Sequence, residues 1–121
     1  MCGICGIINF KNHQSVGPTQ LNIMTDTMVH RGPDDSGIYL NKDHNVGFGF
    51  RRLSIIDIQG GHQPMSNEDD SVWIVFNGEI YNHQDLRNEL KVNGHHFRTQ
   101  ADTEVIIHGY EEWGVDVVHH L

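Results

Sequence analysis

At 121 residues, 37% of them hydrophobic, the chain is sized for one domain and leaves little room for a second. Sixteen acidic residues against eight basic ones give a formal charge of −8, which argues against nucleic acid or an anionic membrane as the main partner. No apolar segment follows a basic N-terminus and none is long enough to span a bilayer; with two unpaired cysteines, the expected location is the cytoplasm, with reduced thiols.

Residues Cys2 to Phe10 (CGICGIINF) are apolar and punctuated by glycine, and read as a buried strand beginning at the N-terminus. Pro18-Thr19 opens a helix in which Leu21, Met24, Met28 and Val29 recur at a spacing of about 3.6. It is expected to stop before the Gly-Pro loop at His30-Arg31-Gly32-Pro33-Asp34. Short strands are predicted at Gly37 to Leu40, Val46 to Phe50 and Leu53 to Ile58, and a polar loop from Gln59 to Asp70. Ser71 to Phe76 (SVWIVF) is β-branched and aromatic and reads as a strand ending in the turn dipeptide Asn77-Gly78.

A helix over His83 to Val92 carries Leu86 and Leu90 and is closed by Asn93-Gly94. His96 to Thr99 reads as one more short strand. Asp102 caps a helix running to Trp113, with Val105, Ile106, Tyr110 and Trp113 inside and Gly114 as its stop. Val115 onward reads as the first turn of another helix, and the interrupted pattern at Leu121 implies a longer natural protein. Strands and helices occur in blocks, which favours the α+β class.

The ten histidines are scattered, without the His-x3-His spacing that puts two ligands on one helical face, and read as solvated or hydrogen-bonded. Cys2 and Cys5 form a C-x2-C, but two further zinc ligands at regular spacing are missing; a zinc module built on them is the weakest reading. No metal site is expected.

Four segments set polar groups beside glycine turns at strand ends. Removal of Met1 would leave Cys2 with a free amine of reference pKa about 7.7–8.0 beside a thiol of about 8.5, so the amine can serve as that thiol's general base. Chains also begin Met-Cys by accident. Arg51-Arg52 is either a carboxylate clamp or a surface pair on an edge strand. Asn77-Gly78-Glu79 is either an ordinary hairpin turn or a two-donor oxyanion hole followed by an acceptor for an ammonium group. Asp102 is a plain helix cap, a role compatible with also binding an amine. Together, a thiol, a carboxylate clamp, an oxyanion hole and acidic groups are what hydrolysing the side-chain amide of an α-amino acid requires.

In their order, MCGICGIINF, HRGPDDSG, RRLSIID, NGEIYN and ADTE resemble the N-terminal glutaminase domain of class II glutamine amidotransferases. The RLSIID and NGEIYN forms are most similar to glutamine-hydrolysing asparagine synthetases. The resemblance implies Cys2 as the nucleophile, Asn77 and Gly78 as the oxyanion hole, Arg52 as the clamp on the glutamine carboxylate, and Glu79 and Asp102 as partners of its ammonium group. Arg31 and Asp34 would order a loop near the site. Two positions depart from the family's usual forms: Cys5, where a larger apolar residue is common, and Ala101, where Ser, Gly or Cys often precedes the aspartate.

The same resemblance implies a four-layer αββα N-terminal-nucleophile sandwich, incomplete at its C-terminal end because such a domain is longer. It also implies a partner synthetase domain, absent from this chain, that uses ATP and Mg²⁺ to convert aspartate to asparagine with the ammonia released. No cofactor is expected in the chain itself. A sheet face or edge exposed by truncation invites self-association, so a homodimer, aggregation or partial order is expected. The alternatives are a domain serving another acceptor (a sugar, a peptide or phosphoribosyl pyrophosphate) and a catalytically inactive fragment.

Overall fold

The computed structural model of the chain describes residues 2–11, 14–53 and 60–121. Its elements are β1 (Gly3–Ile8), α1 (Pro18–Asp26), β2 (Asp35–Leu40), β3 (Val46–Arg52), β4 (Met65–Ser66), β5 (Trp73–Ile74), α2 (His83–Val92), α3 (Thr103–Trp113) and a 3-10 helix (Gly114–His119). Blocks of antiparallel strand and of helix make the fold α+β. Two units divide these residues: one takes the described residues of Met1–Ile58, His62–Pro64 and Val75–Asn77, the other those of Gln59–Gly61, Met65–Ile74 and Gly78–Leu121.

In the first unit β3 lies between β1 and β2, antiparallel to both, with Gly3 opposite Arg51 and Asp35 opposite Arg52. Strand alternation sends Gly47, Gly49 and Arg51 to one face and Phe48, Phe50 and Arg52 to the other. Helix α1 covers the first face through Leu21 and Thr25. It lies so close that a Cβ at Gly47 would stand 2.7 Å from Leu21 Cδ1, and one at Gly49 2.5 Å from Thr25 Oγ1. On the other face Phe50 is buried, and its cross-strand neighbour is Gly37. The main chain of Gln63 fills the space that a side chain at Gly37 would take.

Helix α1 ends earlier than the spacing predicts, at Asp26. The hydroxyls of Thr25 and Thr27 donate to Leu21 O (2.6 Å) and Met24 O (2.7 Å), competing for helix carbonyls, and residues 27–31 continue as turns. Strands β2 and β3 extend slightly beyond their predicted limits. Of the strand predicted at Leu53 to Ile58, Leu53 lies beyond the end of β3 and residues 54–58 lie outside the described residues.

The second unit packs α2 and α3 around Leu86, Leu90, Val105 and Ile107, with β4 and β5 paired as a two-residue ladder. Helix α2 has its predicted bounds; Gly94, at φ 101°, ends it in the left-handed region that glycine tolerates, and His95 N–H reaches back to Leu90 O. Three expectations are corrected. The strand predicted at Ser71 to Phe76 shrinks to Trp73–Ile74, because Asn67 Oδ1 takes the N–H groups of Ser71 (2.9 Å) and Val72 (3.1 Å) that a ladder would need. Residues 96–99 are irregular, for a reason given below. In α3 the buried apolar side chains are Val105 and Ile107, whereas Ile106 is half-buried and Tyr110 is 46% exposed. Two polar residues, Glu104 and His108, share that buried face with Thr103 and Gly109.

Gly49→Ala is expected to force a methyl group against Thr25 Oγ1 and Cys5 Sγ, costing about 1–3 kcal/mol. Thermal denaturation monitored by circular dichroism checks this; an unchanged midpoint would mean that α1 does not hold the sheet this closely.

Candidate functional site

Continuing the β1·β3 register by one residue sets Cys2 opposite Arg52, on the face that carries Phe50 rather than the one under α1. The half-buried Cys2 is fixed through its carbonyl oxygen, which accepts from Asn77 Nδ2 at 3.1 Å and from Arg31 Nε at 3.4 Å. Among the described residues its thiol makes no hydrogen bond. Cys5, three residues on, belongs to the opposite face, where its Sγ lies 3.8 Å from Thr25 Oγ1. The C-x2-C is therefore split across one strand, and its two sulfurs cannot share a metal or a disulfide without unmaking β1.

The two arginines separate in the same way. Arg51 turns to α1, donating to Thr25 O (3.2 Å) and pairing with Asp26. That commitment leaves Arg52 as the arginine on the face of Cys2. Residues 31–34 hold this end of β3: a Cβ at Gly32 would lie 2.5 Å from both Arg51 C and Arg52 N, and Asp34 N–H donates to Arg52 O at 3.1 Å. Asn77 reaches Cys2 with help that the sequence did not reveal. The side chain of Gln63, buried in what read as an undistinguished polar loop, accepts from Phe76 N–H at 2.6 Å and fixes the residue before Asn77. Nothing in the spacing of Gln63 marks it; only the small Gly37 opposite Phe50 hints that something must fill that face.

In the second unit Gly78 and Glu79 are exposed, while Ile80 is buried. Asn77-Gly78 opens no hairpin; the chain runs through Ile80 into α2. Asp102 occupies the cap position of α3, but its carboxylate makes no capping bond there. Its Oδ2 accepts instead from Ile80 N–H at 2.8 Å, tying residues 78–80 to the start of α3. The structure thus groups Cys2, Arg52 and Asn77 in one unit, and Gly78, Glu79 and Asp102 in the other, with a peptide bond joining Asn77 to Gly78.

The segment before Asp102 is held by side chains. Glu104, 2% exposed, accepts from Arg98 N–H (2.7 Å), Thr99 N–H (2.8 Å) and Thr99 Oγ1 (2.6 Å). This consumes the donors of the strand predicted at residues 96–99. Burial pushes its carboxyl up, but His108, Thr99 and the two N–H groups outweigh that and hold it at about 2. For His108, burial works against the charged ring, yet Glu104, Glu111 and Glu68 raise it above its ordinary value.

His95, His108 and Glu111 bring ligand-type atoms within 4.8 Å of one another, and neither cysteine belongs to the group. The sequence spacing missed it because His95 arrives from outside α3. Hydrogen bonds account for its members: His108 Nδ1 lies 2.9 Å from Glu111 Oε2, and His95 Nε2 3.0 Å from Glu112 Oε2. An apolar hollow of about 360 Å³ in the second unit is lined by Trp73, Ile106, Tyr110 and Val117 among others, and by none of the candidate site residues.

The model of a family described as the glutamine amidotransferase domain matches residues 1–121. Asparagine synthetase [glutamine-hydrolyzing] 3 of Bacillus subtilis is 46% identical over 123 residues, covering 100% of this chain and 20% of the relative. Asparagine synthetase [glutamine-hydrolyzing] 1 of Arabidopsis thaliana is 43% identical over 121 residues, with the same coverages. A probable asparagine synthetase [glutamine-hydrolyzing] of Dictyostelium discoideum is 41% identical over 122 residues, covering 100% of this chain and 22% of the relative. The chain thus spans about a fifth of the length of these relatives.

Glu104, held below its unfolded value of 4.5, contributes fully to stability above that pH and loses its contribution as pH falls toward about 2, a difference on the order of 3 kcal/mol. His108, held above 6.5, acts in the opposite sense: its contribution is complete below 6.5 and fades as the folded-state ring deprotonates at higher pH. Glu104→Gln is expected to lower stability at neutral pH and to flatten the acid limb between 4.5 and 2. Urea denaturation across this range measures it, and an acid limb as steep as the parent's would contradict the assignment.

Proposed function

We propose that this chain, which belongs to the glutamine amidotransferase family, hydrolyses the side-chain amide of glutamine to glutamate and ammonia through Cys2. The observation that carries the reading is the arrangement at one sheet end, where the β1·β3 register, continued by one residue, sets Cys2 opposite Arg52 and Asn77 donates to the Cys2 carbonyl. With Met1 removed, the Cys2 amine takes the thiol proton and the sulfur attacks the substrate's amide carbon. An asparagine amide carries two N–H donors; one serves Cys2 O, and the other, with Gly78 N–H, is available for the oxyanion. Collapse of the tetrahedral adduct breaks the C–N bond, and ammonia leaves with the proton returned from the amine. Water then opens the thioester to give glutamate and the free thiol.

Arg52 binds the α-carboxylate through its planar fork, and Glu79 and Asp102 receive the α-ammonium group. The four-layer αββα sandwich of N-terminal-nucleophile hydrolases is the fold we assign to the complete domain. The names of the relatives, and their fivefold greater length, support a parent protein in which a synthetase domain uses the ammonia to make asparagine, and its use of ATP and Mg²⁺ on aspartate is part of the same proposal. Among the described residues no helix is long and apolar enough to cross a membrane; a cytoplasmic enzyme is part of the same reading.

Cys2→Ala in the intact protein is expected to abolish glutamate release, and Asn77→Ala to slow it on the order of 10²–10³-fold with the fold retained. A coupled glutamate assay reads both, and intact mass reports whether Met1 has been removed. Full turnover by Cys2→Ala would refute the proposal.

A further inference from the structure

Asp102 gains its place from a segment with no regular structure of its own. Residues 98–101 belong to neither a strand nor a helix, yet side chains from the two flanking helices bind the N–H groups of Arg98 and Thr99 and the carbonyls of Thr99 and Ala101. From α2, the buried guanidinium of Arg87 donates to Thr99 O and to Ala101 O, both at 2.8 Å, and lies 4.3 Å from the centre of the Phe97 ring. From α3, Glu104 takes the N–H groups of Arg98 and Thr99 and the Thr99 hydroxyl. Thr99 Oγ1 accepts in turn from Ala101 N–H at 3.1 Å. The last residue so held directly precedes Asp102, whose Oδ2 then receives Ile80 N–H.

Two buried charges of opposite sign are costly unless hydrogen bonds compensate them, and here the bonds of Arg87 and Glu104 end on Arg98, Thr99 and Ala101, with Arg87 Nε left unpartnered. Such an arrangement exceeds what closing a surface loop needs. It locks a carboxylate in position, and an ion-pair contact is steeply sensitive to displacement. We propose that Arg87 and Glu104 are positioning residues for Asp102, fixing its carboxylate where the substrate ammonium is received. The substrate half of this inference rests on the role assigned to Asp102 above; the structural half does not.

Two measurements on the intact protein separate those halves. Glu104→Gln, Arg87→Lys and the milder Thr99→Val are compared with the parent on L-glutamine and on its analogue lacking the α-amino group. Each variant is expected to lose about tenfold in kcat/KM for glutamine, mainly through KM, with the des-amino analogue changed less than about twofold. Equal losses on both substrates would overturn the inference, since a general weakening of the fold spares neither.

Hydrogen exchange supplies the second readout, using Thr99→Val, which keeps both buried charges. The Ile80 amide is expected to exchange about tenfold faster while the Ile107 amide in α3 holds its rate. An unchanged Ile80 rate would overturn the inference whatever the enzyme activity. If the parent protein does not prefer glutamine to the des-amino analogue, the substrate role of Asp102 fails by itself, and the Ile80 rate still decides whether Arg87 and Glu104 position that carboxylate.

Discussion

Side chains in a strand alternate between faces, so the pairing of β1 with β3 decides which groups can meet. With Gly3 opposite Arg51, Cys2 falls opposite Arg52 and on its face, while Arg51 and Cys5 are turned toward α1. A slip of one residue would turn Cys2 and Arg52 to opposite faces. Several features hold the register. Gly47 and Gly49 let α1 settle on one side, where Arg51 reaches Thr25 and Asp26, and Gly32 lets the 31–34 loop lie against the end of β3. None of these residues needs to touch a substrate, yet the relation between the sulfur and the guanidinium follows from them.

A second theme is the use of side chains where regular backbone pairing stops. Gln63 receives Phe76 N–H, Asn67 receives those of Ser71 and Val72, and Glu104 receives those of Arg98 and Thr99. Each acceptor sits in or beside an irregular stretch and takes part-buried donors that no ladder serves. This explains how a chain with two strands of only two residues can still place individual backbone groups.

The same substitution of side chain for ladder marks the limit of what the sequence discloses. Apolar blocks and glycine punctuation locate β1, β2, β3 and α2 well, and β1, β2 and α2 each stop before an Asn. SVWIVF looks like a long strand because β-branched and aromatic residues favour one; the competing claim of Asn67 comes from a polar residue whose role is visible only after folding. In α3 the periodic reading chose Ile106 and Tyr110, because it does not expect a glutamate and a histidine to face inward. They do so by satisfying each other and the 98–99 backbone. The candidate residues themselves stood out through their motifs. Of the residues around them, Gln63 and Arg87 carry no motif, since their partners are mostly main-chain atoms contributed by other segments, and Glu104, though it closes the ADTE segment, shows nothing there of its inward-facing bonds.

Chain termini fray unless something ties them down, and the nucleophile proposed at the second residue would depend on that more than most sites do. Here the tie is the carbonyl oxygen of Cys2, held by Asn77 and Arg31 from two distant parts of the chain. Anchoring through the carbonyl restrains the residue without engaging its sulfur, so the group that must change bonding partner is not among those that fix the backbone. A hydrogen bond to the thiol would have restrained the residue as well, but at the expense of its nucleophilicity. The separation also gives Asn77 a structural task that persists whether or not substrate is present. In the proposed reaction its amide would therefore be oriented before an oxyanion forms, which is the condition under which such a donor stabilises developing charge without first having to reorganise.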